Sequence, residues 1–270
     1  MTDNKIIRTG FIGLGSQGGP MARRMAEAGY PLTLWARRPE ALEAFADTAA
    51  THAPSIAALG AASDHVGLCV VDDAGVQAVC ADLIPTMAAG SRIIIHSTVH
   101  PQTCLDLAAQ ASTRGIALID APVSGGGPGA TAGTLTVMVG GDANAVADAR
   151  PVFESFAGSI VHLGGVGAGQ LAKLINNALM AAHMALANHA LDAGSTLGID
   201  HKPLTELVRV SSGRSYGFEV AARLPDPTAF AHGAKLLAKD VRLLGEVLGD
   251  DPDARIFDQL TRPFLDRAQQ

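Results

Sequence analysis

The sequence predicts an α/β fold: a parallel sheet covered by helices on both faces, followed by an all-helical domain that a long helix joins to it. Three observations predict it. From residue 6 to about residue 163, β-branched and apolar runs alternate with helix-forming stretches, as repeated strand–helix–strand units require. After Gly169 the strand-like runs stop, and Ala- and Leu-rich sequence continues to the end. At the junction, residues 171–191 (LAKLINNALMAAHMALANHAL) make one long helical stretch.

The elements follow in order. Residues 6–12 read as a strand, 13–19 as a glycine-rich break and 21–28 as a helix, with Pro20 in the first helical turn where its missing N–H is not needed. Gly29 ends that helix and residues 32–35 form the second strand. The alternation recurs as strand 66–71, helix 76–83, strand 92–96, helix 103–112 and strand 116–120. Residues 135–140 and 160–163 are candidate further strands. The domain boundary is expected near 164–169, giving a first domain of residues 1–165 and a helical one of 166–270. Residues 224–227 (LPDP) and 249–253 (GDDPD) read as loops.

Composition narrows the function classes. Of 270 residues, 48% are hydrophobic and 17% charged, which excludes a disordered chain. The formal net charge is −6 and no basic block occurs, so neither nucleic acid nor an anionic membrane is an expected partner. Cys69, Cys80 and Cys104 form no CxxC pair, and the polar start MTDNK runs directly into a strand; a cytoplasmic protein is expected. Lys173, Asn176, Asn177, His183, Asn188 and His189 would be costly in lipid, so the stretch 171–191 reads as a buried helix.

The first chemical motif is Gly13-Leu14-Gly15-Ser16-Gln17-Gly18, a GxGxxG between a strand and a helix. In a dinucleotide site the first glycine makes the tight turn, the second lets the backbone approach a pyrophosphate, and the third lets helix and strand pack closely. The helix N-terminus adds unpaired N–H groups for the phosphates. An NAD site usually carries Asp or Glu after the second strand for the ribose 2′-hydroxyl. Here that stretch reads Ala36-Arg37-Arg38, with two guanidiniums able to pair with a 2′-phosphate. NADPH is therefore the expected cofactor, with NAD the alternative. Ser124-Gly125-Gly126, after Asp120, offers a hydroxyl and several backbone N–H groups to a carboxylate, although such a turn is commonly only a turn. Lys173 and Asn177 stand four apart on one face of the long helix. Facing a cleft, Lys173 can give a proton to a carbonyl oxygen as hydride reaches its carbon; facing solvent, it simply snorkels.

Taken together, GFIGLGSQGGPMA (10–22), VVDD (70–73), HSTVHP (96–101), DAPVSGGGPGATAGTL (120–135), GAGQLAKLINN (167–177) and LLAKD (236–240) resemble the β-hydroxyacid dehydrogenases. That group includes 3-hydroxyisobutyrate dehydrogenase, tartronate semialdehyde reductase and glyoxylate/succinic semialdehyde reductase. The resemblance runs over nearly the whole chain, in the family's order. It implies a Rossmann-type domain and a helical domain, usually in a homodimer or homotetramer. It also implies that residues 13–18, Arg37, Arg38, Val70, Val71, Thr98 and Lys239 line the cofactor. Ser124, Gly125 and Gly126 would grip the carboxylate of a small substrate, Asn177 and Asp240 would add polar contacts, and Lys173 would be the catalytic proton donor and acceptor. Gln17, Ala36, Val71 and His100 depart from the family's usual residues at their positions, and an early stop after Leu265 is expected to shorten the last helix that often helps close the family's site.

Other signals are weaker. His96, His100 and Cys104 are spaced by four but need not share a face, so no metal site is expected. Asp72/Asp73 and Asp250/Asp251 read as loop or cap residues. Two competing functions remain: an imine reductase on the same fold, in which the lysine position usually holds another residue, and a non-catalytic NADP-binding protein, which would need no Lys173. A decarboxylating 6-phosphogluconate-type enzyme would want His in place of Asn176 and a longer helical region.

Overall fold

The computed structural model describes residues 6–270; the polar start at residues 1–5 lies outside them. The described residues form two compact units, one up to Lys173 and one over Leu174–Gln270.

The first unit is built on parallel strands β1 (Thr9–Ile12), β2 (Leu32–Trp35), β3 (Thr51–His52), β4 (His65–Leu68), β5 (Arg92–Ile95) and β6 (Ala117–Asp120), which lie in the order β3-β2-β1-β4-β5-β6. Strands alternate their side chains between two faces. Phe11, Ile94 and Ile119 join a core on one face with Met21 and Met25, while Ile12, Ile93, Ile95 and Leu118 join a second core on the other. Helix α1 (Gly18–Glu27) covers the first face. The second face is covered by α2 (Ile56–Ala62), α3 (Asp73–Leu83) and α4 (Pro101–Ser112), through Leu59, Cys80, Leu83, Cys104 and Leu107. Helix starts carry the capping groups that the carboxylate pairs foretold: the Asp72 side chain accepts from Gly75 N, 2.9 Å away.

Beyond β6 the sheet is not parallel throughout. Strand β7 (Val123–Ser124) keeps the sense of β6, and after the short helix α5 (Gly126–Ala132) strand β8 (Leu135–Gly140) turns back, antiparallel to both β6 and β7. Helix α6 (Ala143–Phe153) then allows β9 (Ala157–Gly164) to pair parallel with the other edge of β8. Strand β8 reverses because α5, with seven residues, gives no crossover long enough to return the chain to a parallel start.

The long helix α7 (Ala168–Thr196) begins in the first unit and continues into the second. There α8 (His201–Val210), α9 (Tyr216–Ala221), α10 (Ala231–Leu248) and α11 (Pro252–Ala268) accompany it. Ala181, Met184, Ala185 and Leu191 of α7 form a core with Phe218, Leu237, Phe264 and Leu265. Asp251 caps α11 by accepting from Asp253 N. Among the described residues no helix is long and apolar enough to cross a membrane.

Candidate active site

Strand register brings the predicted nucleotide residues to one line. Trp35 pairs with Ile12, Ile12 with Leu68, Leu68 with Ile95 and Ile95 with Asp120, so five strands end in one row. Each end is followed by a predicted residue: Arg37 and Arg38 after β2, the glycine turn after β1, Val70 and Val71 after β4, Thr98 after β5 and Ser124 after β6. The strand order also reverses between β1 and β4, the place where open α/β sheets leave a crevice for a ligand.

The three glycines of the turn have three different reasons. Gly13 holds φ at +100°, and a Cβ there would lie 2.1 Å from the Cys69 carbonyl oxygen. A Cβ at Gly18 would lie 2.0 Å from the Gly13 oxygen and 3.0 Å from the Phe11 ring. Gly15 is exposed, and a Cβ placed on it would meet nothing within 4 Å, so no neighbour among the described residues demands a glycine at that position. A backbone left bare toward solvent at a helix start fits a pyrophosphate. The α1 N-cap, Gln17, makes no side-chain capping bond, and no acidic side chain sits in the first turn to compete with a phosphate.

Arg37 and Arg38 are exposed, and neither guanidinium makes a hydrogen bond or ion pair among the described residues. Val70 is half-buried, with its N–H donating to Ser97 Oγ at 2.8 Å, while Val71 is exposed. Ser124 ends β7, and Gly125 and Gly126 hold φ at +127° and +62°, a left-handed pair open to solvent. Gly127 brings this turn against the nucleotide turn, since a Cβ on it would meet the Ser16 carbonyl oxygen at 2.9 Å.

Sequence reasoning missed what holds α7 in place. Its N-cap position is Gly167, which has no side chain to cap with, and Asp120 from the end of β6 serves instead. Asp120 is fully buried, and its two oxygens accept from Gly167 N at 2.7 Å and Gln170 N at 2.8 Å. Burial pushes its carboxyl up, and these backbone N–H groups draw it back down. Helix and sheet meet backbone to backbone, because Cβ atoms on Gly140 or Gly169 would overlap Asp120 and its neighbours. Gln170 is also fully buried; its Nε2 donates to the Ser97 oxygen at 2.8 Å and its Oε1 accepts from Val99 N at 3.2 Å. A signal did exist in the sequence: an apolar strand ending in Asp, and a helix start with glycine at the cap. Lys173 lies half-buried on α7, one turn beyond Gln170.

The other predicted residues belong to the second unit and bond to one another. Asn177 Nδ2 donates to Asp240 Oδ2 at 2.6 Å, and its Oδ1 accepts from Asn176 at 3.1 Å. Asp240 is only 3% exposed, and its second oxygen lies 3.4 Å from Lys239 Nζ. The residues weighed as metal ligands have other duties. His96 hydrogen-bonds the Ala121 oxygen, the His100 ring caps α4 by accepting from Gln102 N, and burial pushes the Cys104 thiol up, away from its reactive form. No cluster of three metal-ligating side chains occurs among the described residues.

Residues 8–164 match the family model described as the NAD binding domain of 6-phosphogluconate dehydrogenase. Residues 167–251 match the one described as the NAD-binding of NADP-dependent 3-hydroxyisobutyrate dehydrogenase. The chain belongs to the β-hydroxyacid dehydrogenase family. An NAD-dependent L-serine dehydrogenase of Pseudomonas aeruginosa is 39% identical over 255 residues, covering 87% of this chain and 83% of that one. Mycobacterium tuberculosis 3-hydroxyisobutyrate dehydrogenase, solved with L-serine, superposes with TM-score 0.85 at 28% identity, over 98% of this chain and 96% of that one. Psf3 in complex with NADP+ and 2-OPP superposes with TM-score 0.81 at 27% identity, over 95% and 92%. This β-hydroxyacid dehydrogenase is thus an enzyme of the NAD(P)-dependent hydroxyacid dehydrogenase class.

Proposed function

We propose that the enzyme interconverts a small hydroxyacid and its semialdehyde or keto acid using NADP(H), with Lys173 as proton donor and acceptor. The observation that carries this reading is the contact of Gly127 with Ser16, which sets the candidate carboxylate turn beside the nucleotide turn on one edge of the sheet. When bound, the reduced nicotinamide supplies the hydride. Residues 13–18 hold the pyrophosphate through backbone N–H groups, with Val70, Val71, Thr98 and Lys239 further along the cofactor. Arg37, with Arg38, pairs with the 2′-phosphate, a preference supported by the lack of an acidic residue after β2.

Ser124, Gly125 and Gly126 bind the substrate carboxylate. Asn177 adds a polar contact, and Asp240 orients it through their hydrogen bond. Lys173 Nζ gives its proton to the oxygen as the C=O electron pair moves onto it, and takes the proton back when the alcohol is oxidised. 3-Hydroxyisobutyrate and L-serine, named for the relatives, share a carboxylate and a hydroxyl on the third carbon, so both belong to the substrate class to be tried. A homodimer or homotetramer is part of the proposal, supported by Ile175, Leu179 and Leu186, which expose one apolar stripe along α7. So is a cytoplasmic location, which suits three free cysteines.

Initial rates with NADPH and NADH against glyoxylate, succinic semialdehyde, tartronate semialdehyde and methylmalonate semialdehyde test the reading, with 3-hydroxyisobutyrate and L-serine in reverse. Turnover favouring NADPH, lost in Lys173→Ala with nucleotide binding retained, is the expected result. Unchanged turnover in Lys173→Ala refutes the lysine's role, and a preference for NADH refutes the 2′-phosphate reading.

A further inference from the structure

Gln170 is a buried amide that does more than fill space, since an apolar side chain of the same length would leave the Val99 N–H and the Ser97 carbonyl without the partners it gives them. Its hydrogen bonds are directional. Nε2–H and Oε1 engage the carbonyl of residue 97 and the N–H of residue 99, the two backbone groups that bracket Thr98. Its own backbone N–H is held by Asp120 Oδ2. The residue is therefore tied to the ends of two strands, through its main chain to β6 and through its side chain to the turn after β5.

We infer that Gln170 is a positioning residue, locking the first turn of α7 to the backbone on either side of Thr98 and so setting where Lys173 presents its amine. This rests on the reading of Lys173 as the proton donor. Residues three apart share a helix face and stand about 4.5 Å apart along the axis. The clamp therefore sits on the side of α7 from which Lys173 projects. A lysine side chain is long and freely rotating, so its root must be held if its amine is to meet one oxygen. Proton transfer needs the donor within hydrogen-bond reach, and a misplacement of about 1 Å costs about 100-fold in rate. Nothing in this account requires Gln170 to touch nucleotide or substrate, so binding of both is left to other residues.

The test compares wild type, Gln170→Met, Lys173→Ala and the double variant in the full chain. Gln170→Met removes both hydrogen bonds at nearly constant volume. Its kcat is expected to fall about 10- to 100-fold, with KM for the acid within about twofold of wild type and any rise in Kd for NADPH, through the Thr98 turn, several-fold smaller than the fall in kcat. In the Lys173→Ala background the same substitution is expected to change the residual rate less than about twofold, because a residue acting through the lysine has nothing left to position. Equal factors in both backgrounds overturn the inference, as does a Gln170→Met enzyme with wild-type kcat or one whose loss lies wholly in nucleotide binding. If Lys173→Ala alone keeps wild-type kcat, the lysine reading fails first and is seen to fail separately.

Gln170→Glu is the second variant, for use if the methionine chain does not fold. Its carboxyl, when protonated, can donate to the Ser97 oxygen and accept from Val99 N–H as the amide does. Buried beside the Asp120 carboxylate and the Cys104 thiol, it takes up a proton more readily than an exposed glutamate. Its kcat relative to wild type at the same pH is expected to rise as pH falls. A ratio that stays flat overturns the inference.

Discussion

His96 makes the sheet-bearing unit sensitive to mild acid. It directly follows β5, with its ring stacked on Phe11 (centroids 6.0 Å apart, planes 13° apart) and edge-on to Phe156 at 5.6 Å. Nδ1 lies 2.8 Å from the Ala121 oxygen, which can only accept, so Nδ1 carries the proton of the neutral imidazole. Burial lowers the pKa to about 4 from the ordinary 6.5, with the bond to Ala121 opposing part of that drop. Below 6.5 the unfolded chain takes up a proton that the folded chain refuses, so stability falls as pH falls from 6.5 toward about 4. The whole gap corresponds to about 3 kcal/mol, and about 2 kcal/mol of it is lost by about pH 5. Denaturant unfolding at about pH 7.5 and about pH 5, for wild type and His96→Asn, measures it. The asparagine variant is less stable at the higher pH, but its loss on acidification should be smaller by about 2 kcal/mol. His65, also buried and held well below its ordinary pKa, keeps its own acid sensitivity in both proteins. An equal acid-induced loss in the two proteins would falsify the assignment of a neutral buried His96.

The glycine turn separates folding from binding. Gly13→Ala places a methyl 2.1 Å from a backbone oxygen at a left-handed φ and should cost several kcal/mol, read as a lower Tm without any ligand. Gly15→Ala should leave Tm nearly unchanged while weakening NADPH about 10-fold or more in a fluorescence titration; retained affinity sinks the pyrophosphate role. Arg37→Ala should raise KM for NADPH about 10-fold and leave KM for NADH within about twofold, and equal effects on both would remove the 2′-phosphate contact. Asp120→Ala leaves two buried N–H groups at the start of α7 without their acceptor, so denaturant unfolding should show a loss of about 1–3 kcal/mol or more. A change below about 0.5 kcal/mol would mean that water caps the helix equally well.

Part of the short-range chemistry was legible in the chain, although α2 and β3 were not read from it. The bounds of β2 and β8 follow from their apolar, strand-forming runs, and the glycine turn follows from residues whose conformational and steric reasons act within a few positions. Asp72 and Asp251 could be placed at caps because a capping side chain acts two or three residues ahead of itself. The reversal at β8 depended on where the chain re-enters the sheet after a seven-residue helix, a choice of partner that period-2 alternation does not encode. The Asp120 and Gln170 bonds span 47 to 73 residues, and in the sequence both residues look like ordinary polar side chains beside better-known motifs. Likewise, Asp240 reads as one more polar contact until its burial and its bond to Asn177 show that it acts on another side chain. Local geometry is written in neighbouring residues because their sterics and hydrogen bonds act over a few ångströms of chain. Which buried polar group satisfies which distant partner is decided only when folding removes water and leaves each of them a single available match.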